Sequence, residues 1–140
     1  MIMTVNDVMN YNRVIKNIID NVSNIPALIK FKLLGMCKQF ESTVSNFDTV
    51  REEKIRQYSN GETNGVIGIV APNKENYEND DEYQKAVEEY DNNIKQFSAD
   101  MSKVLESETE INIKKFKAED IMNAGIPSEY LIHIYDLIEE

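Results

Sequence analysis

The sequence predicts a mainly α fold: a long antiparallel helix hairpin with flanking N- and C-terminal helices and a minor two-stranded β-ribbon. Three observations carry that expectation. Apolar residues recur at alternating steps of three and four over three long segments, the mark of one helix face. Only five glycines and three prolines interrupt 140 residues. Alternation of the β type is confined to two short runs, Val66–Val70 and Glu110–Phe116. We expect a single domain over 1–140, with helices at about 4–21, 26–59, 80–106, 117–124 and 128–139 and an insert at 60–79.

In the first helix, Val8, Tyr11, Ile15, Ile18 and Val22 form the apolar face. Thr4 with Asp7 reads as a capping box in which aspartate replaces the usual glutamate, so the helix starts near residue 4. Pro26 then suits the first turn of the next helix, where no N–H is needed. The seam of that second helix is Leu33, Cys37, Phe40, Val44 and Phe47, drifting onto Val50, Ile55 and Tyr58. Its first turns are apolar nearly all round, through Ile25, Leu28, Ile29, Phe31, Leu34 and Met36. That pattern predicts cover on several sides.

Asn60-Gly61 breaks the helix, and the insert after it reads as a loop around Val66–Val70. The third helix has the most regular seam: Tyr83, Val87, Tyr90, Ile94, Phe97, Met101 and Val104. Asn79 is placed to cap it, and Asp80, Asp81 and Glu82 suit the positive end of its dipole. It is expected to pair with the second helix at similar length. The run Glu110–Phe116 reads as an edge strand whose natural partner is Val66–Val70. Gly125 stops a short helix, and Ser128 is placed to cap the last one. Asp136, Glu139 and Glu140 fall at its C-terminal end, where the dipole disfavours acids. No local reason accounts for that arrangement; a basic partner would supply one.

Charge narrows the function. The net charge is −10, which excludes the usual nucleic-acid binder with its basic surface. A single cysteine cannot form an internal disulfide, and no run of 18 apolar residues exists. The first residues lack the basic and apolar regions of a secretory signal, so a soluble intracellular protein is expected. The charge is uneven. Residues 1–70 hold seven acids and eight bases, whereas residues 71–140 hold eighteen acids and seven bases. The densest stretch, Glu75 to Glu110, has twelve acids and only Lys85, Lys95 and Lys103. Such a run is commonly just a solvated helix face.

Catalytic groups are sparse. Cys37 lies on the seam of the second helix and reads as a small core hydrophobe. His133 has no second histidine or cysteine nearby, so no transition-metal site is expected. The acids around residue 80 lack the glycine-centred spacing of a calcium loop. Gly61–Gly68 lacks the Lys-Ser/Thr of a phosphate loop. No cofactor and no catalytic residue is therefore assigned. The candidate partner-binding residues are Glu75, Tyr77, Glu78, Asp80, Asp81, Glu82, Glu88, Glu89 and Asp91. Tyrosine beside acids gives large contact area to a basic protein surface. Tyr83 and Tyr90 belong to the seam, so Tyr77 is the better exposed contact.

Several segments also carry a resemblance: Thr4-Val5-Asn6-Asp7-Val8, Ile25-Pro26-Ala27-Leu28, Val50 to Tyr58, Ser107 to Ile113, and Leu131–Glu140. Their order resembles a family of small acidic phage-encoded proteins of unassigned function. The resemblance implies a viral origin and a role in virion or tail assembly or in subverting the host. It brings no catalytic residues. The expectation is a non-enzymatic protein that binds a protein partner, in the cytoplasm of a bacterial host or in the virion. Direct nucleic-acid and membrane contacts are not expected, and the helical seam leaves room for a homo-oligomer. The alternative is an acidic inhibitor of a host defence nuclease, mimicking a nucleic acid in the manner of an anti-CRISPR protein.

Overall fold

The computed structural model describes all residues, 1–140. It is mainly helical with minor β structure. The order is β1 (Ile2–Thr4), α1 (Val5–Asn21), α2 (Ala27–Tyr58), β2 (Gly61–Thr63), β3 (Val66–Gly68), α3 (Asp80–Glu106), β4 (Glu108–Glu110), α4 (Ala118–Met122) and α5 (Ser128–Leu131). Single 3₁₀ segments cover Lys74–Asn76 and Ile132–Leu137. No helix is long and apolar enough to cross a membrane. The chain forms two compact units, Met1–Asn46 with Glu106–Glu140, and Phe47–Leu105.

The first unit holds the larger core. Thr4 accepts a hydrogen bond from the Asp7 N–H at 3.1 Å, and Asp7 accepts one from the Thr4 N–H at 3.1 Å. This is the expected capping box, a feature whose loss costs a helix about 1 kcal/mol. Val8, Ile15 and Ile18 of α1 are fully buried, as are Leu33 and Phe40 of α2. Phe116, Ile121, Ile134 and Leu137 join the same cluster.

Two details differ from the expected ribbon and last helix. Val66–Val70 does not pair with Glu110–Phe116. Instead Asn64 and Gly65 both adopt positive φ, 54° and 80°, and close β2 and β3 into a two-residue hairpin. Asn-Gly favours such a turn, and local closure costs less chain entropy than pairing with a strand far along the chain. The later strand is β4, pairing with β1 in the register Ile2 with Glu110, Met3 with Thr109 and Thr4 with Glu108.

The last segment is not one α-helix. It is α over four residues and then 3₁₀, kinked at Ile134 (φ −120°, ψ 20°). Ser128 lies inside α5 and does not cap it; Pro127 takes that position with no side-chain hydrogen bond. Pairing with Phe116 is what ends the helix, since Ile138 is extended and bridges that residue in parallel. Phe116 donates to the Leu137 carbonyl, and Glu139 donates to the Phe116 carbonyl, both at 2.8 Å. A helix continued to residue 139 would forfeit both. Asp136 thus lies in the last turn of a 3₁₀ segment, not of an α-helix, and its charge helps to raise the Tyr11 phenol.

In the second unit α2 and α3 run antiparallel. Asn93 donates to the Tyr58 carbonyl at 3.4 Å, while Lys54 lies 3.5 Å from Asp100, so the two chains progress in opposite directions. The pairing is staggered. Tyr58, the last residue of α2, meets Asn93, midway along α3, so the first turns of α3 extend past it. The insert covers them instead. Asn60 acts as an extra ladder rung, bonding both polar groups of Val70 through its side chain at 2.6 and 2.8 Å. Most of the α3 seam is only half-buried; Met101 alone in this helix is buried.

Candidate interaction surface

The first turns of α2 depart furthest from the sequence expectation. Asn24 turns the chain at φ 59°, and Pro26 starts the helix, its carbonyl accepting the Lys30 N–H at 3.0 Å. Ile29, Leu33, Met36 and Phe40 then face the core. Leu28, Phe31 and Leu34 point elsewhere and are 82%, 77% and 49% exposed. They are not covered on several sides as their composition suggested. A helix can bury only the arc that meets its neighbours, and here α1 and the C-terminal segments meet one arc.

Beside that exposed face runs a groove of about 500 Å³ lined by α2 and the segment after β4. Leu28, Phe31, Gly35 and Met36 form one wall, and Ile113 with Lys114 the other. The second wall is held in place at both ends. Ile111 is buried and donates to the Met1 carbonyl at 2.8 Å. Lys32 reaches across to the Lys115 carbonyl at 2.7 Å, its ammonium 5.0 Å from the centre of the Phe116 ring. Gly35 stands on an open face, where a Cβ would meet nothing within 4 Å. Glycine inside a helix costs about 0.5–1 kcal/mol relative to alanine. Nothing within the chain offsets that cost.

The acidic residues singled out in the sequence occupy the other unit. Glu75, Glu78, Asp80, Asp81, Glu82, Glu88, Glu89 and Asp91 are all exposed. Asn79 caps α3 through its side-chain oxygen, which accepts the Glu82 N–H at 2.8 Å. By helical spacing Asp81, Glu82, Glu88 and Glu89 fall opposite the Tyr83–Val87–Tyr90 seam, but they share their face with Lys85. Lys85 stands three or four residues from each of them, at ion-pairing spacing. Tyr77 is not the free contact expected of it. It is half-buried, with its ring 5.9 Å from that of Tyr83, tilted by 58°. Tyr77, Ala86 and Glu89 line a cleft of about 510 Å³ together with Asn60, Pro72 and Asn73. The remaining acids are spread out, not gathered into one site.

Titrating groups show where polar contacts matter. Burial pushes the half-buried Cys37 thiol up, which makes it a poor nucleophile at neutral pH. Burial first, then Asp136, raises the Tyr11 phenol. Tyr58 donates to Asp100 at 2.7 Å; that bond raises the phenol and holds the carboxyl below its usual range. A carboxyl lowered on folding stabilises the fold above its ordinary range, and that stability fades as pH falls through its own lower value. Replacing Asp100 with alanine should therefore return the Tyr58 phenol toward an ordinary tyrosine value in an NMR titration and flatten the acid limb of stability. An unmoved Tyr58 would contradict the assignment. His133 is exposed beside Arg13, Asn17 and Glu129. No three His, Cys, Asp or Glu side chains lie close enough together to hold a metal ion.

Compared with known protein families, curated proteins and solved structures, the chain shows no match. The surfaces themselves must carry the functional argument. Sequence reasoning identifies the acids, yet misses the groove. The signal is present: Leu28, Phe31 and Leu34 lie off the Leu33–Cys37–Phe40 seam by helical angle.

Proposed function

We propose that this is a non-enzymatic binding protein that docks a protein partner through the apolar face of α2. The observation that carries the reading is the exposure of Leu28, Phe31 and Leu34 beside a formed groove. Contiguous exposed apolar surface on a folded chain marks a contact site, because leaving it in water is unfavourable. The resemblance to small acidic phage-encoded proteins supports a setting in virion or tail assembly, or against a host factor, in a bacterial cytoplasm or virion. A photo-crosslinking amino acid at Phe31 tests the reading. It should yield a covalent adduct with a protein in lysate of infected cells, and the adduct should persist as salt is raised. No adduct at Phe31, with adducts from other exposed positions, would sink it.

A second reading has one observation in its favour: all eight acids of the Glu75–Asp91 group are exposed. As an inhibitor of a basic-grooved defence nuclease, the chain would present them as a duplex mimic. Lys85 interrupts that face, and duplex DNA carries one charge per roughly 1.7 Å without interruption. Reversing Asp80, Asp81, Glu88, Glu89 and Asp91 should abolish nuclease binding under this reading and spare the Phe31 adduct under the first. Partner release should also be steep with salt only for the mimic.

A further inference from the structure

We infer that the α2 groove receives the β2–β3 hairpin of a second copy of this chain, an inference that rests on the groove being a protein-docking site. Ile2, Met122, Ile132 and Tyr135 are also exposed, but two apolar surfaces of the chain match in shape and charge. One is the groove face in the first unit. The other is the hairpin in the second unit, where Val66 is 69% and Ile67 47% exposed. A two-stranded hairpin is marginal in water and needs apolar cover. A hairpin tip only two strands wide, with Val66 and Ile67 on its opposite faces, is of a size to enter a groove of about 500 Å³.

Charge separates this occupant from others. Lys32 and Lys114 line the groove. Lys38 is exposed on α2, seven residues on from Phe31 and so on the same side of the helix. None of the three is drawn into an ion pair within the chain. No acid lies on α2 between its start and Glu41. The one charged residue of the hairpin has the opposite sign. Glu62 is exposed and stands directly across the ribbon from Ile67. A basic-rimmed groove and a knob whose only charge is the acid Glu62 are complements, and both are on one chain. An anionic membrane would also suit lysines, but a net charge of −10 repels such a surface. Gly35 adds an independent point. A bare helix face in the groove lets another backbone approach closely, which accounts for a glycine that the chain itself does not need.

The contact is heterologous, since groove and knob are different surfaces. Copies would therefore join head to tail, into a ring or an open chain. That outcome selects assembly over host-factor blockade as the use of the groove.

Sedimentation velocity across a concentration series reaching about 0.5 mM tests this, since even weak specific contacts are populated there. The intact chain should self-associate. K38E/K114E should weaken association at least about tenfold, the size of effect reached by mutating interface charges. E62K should weaken it as well, and mixing E62K with the lysine-reversed chain should restore mixed complexes. G35A should weaken association while raising the unfolding midpoint by about 2–4 °C. A chain monomeric throughout would overturn the second-copy assignment. The Phe31 crosslink to some other protein would then leave the docking reading intact. Association insensitive to the charge reversals, or wild-type binding to phosphatidylserine vesicles that the reversals abolish, would also overturn it.

Discussion

Phe40→Ala is expected to lower the unfolding free energy by about 3–5 kcal/mol, the usual effect of emptying a fully buried aromatic site. Phe40 has no solvent exposure and sits in the cluster that joins α1, α2 and the C-terminal segments. A domain of this size has only about 5–15 kcal/mol of stability in all, so the variant should be close to unfolding at 37 °C. Chemical denaturation measures it. The same helix supplies the control. Leu28→Ala or Phe31→Ala also removes a large apolar side chain, yet each should change stability by no more than about 0.5 kcal/mol, because those side chains already meet water. A loss under about 1 kcal/mol at Phe40 would mean that the core is not where the structure puts it.

Phe116→Ala should cost a similar amount, about 3–5 kcal/mol, for a compound reason. Its ring is fully buried and carries the Lys32 ammonium at 5.0 Å. Its backbone is the rail on which Leu137 and Glu139 are hung. Losing the ring removes its core packing and its contact with the Lys32 ammonium, while the Lys32 bond to the Lys115 carbonyl and the backbone bonds to Leu137 and Glu139 remain. Phe116→Leu separates these contributions. Leucine still fills much of the site and should hold the loss to about 1–2 kcal/mol, while the cation–π contact is gone. Equal losses for the two variants would contradict the view that packing dominates over the lysine contact.

The positions of α1 and α3 are legible in the sequence because each rests on periodicity and a cap acting together. Asp80–Glu106 has both its bounds and its Asn79 cap as expected, and α1 has its capping box. The failures are non-local. The partner of Glu108–Glu110 is a strand at the very start of the chain, which no local pattern announces. The Asn64-Gly65 turn is a local signal, and it outweighs any distant partner for Val66–Val70. Period alone also cannot say how much of a face is covered. Ile29 and Phe31 are both large and apolar and stand in the same turn, and one is buried while the other is 77% exposed. Tyr77 and Tyr83 show the converse, because the insert packs a residue from outside the seam against it. The candidate site is therefore half legible: the acids can be placed from sequence, but the groove requires knowing what α2 packs against.

The central claim is that Leu28 and Phe31 are kept for a partner and not for the fold. The most direct measurement is the double variant L28S/F31S, followed in parallel by denaturant unfolding and by partner crosslinking from a photo-reactive residue at Lys114, on the opposite wall of the groove. The expected result is an unfolding free energy within about 0.5 kcal/mol of the parent together with loss of the crosslinked protein. A variant that unfolds several kcal/mol more easily, or that keeps its full crosslink, would contradict it.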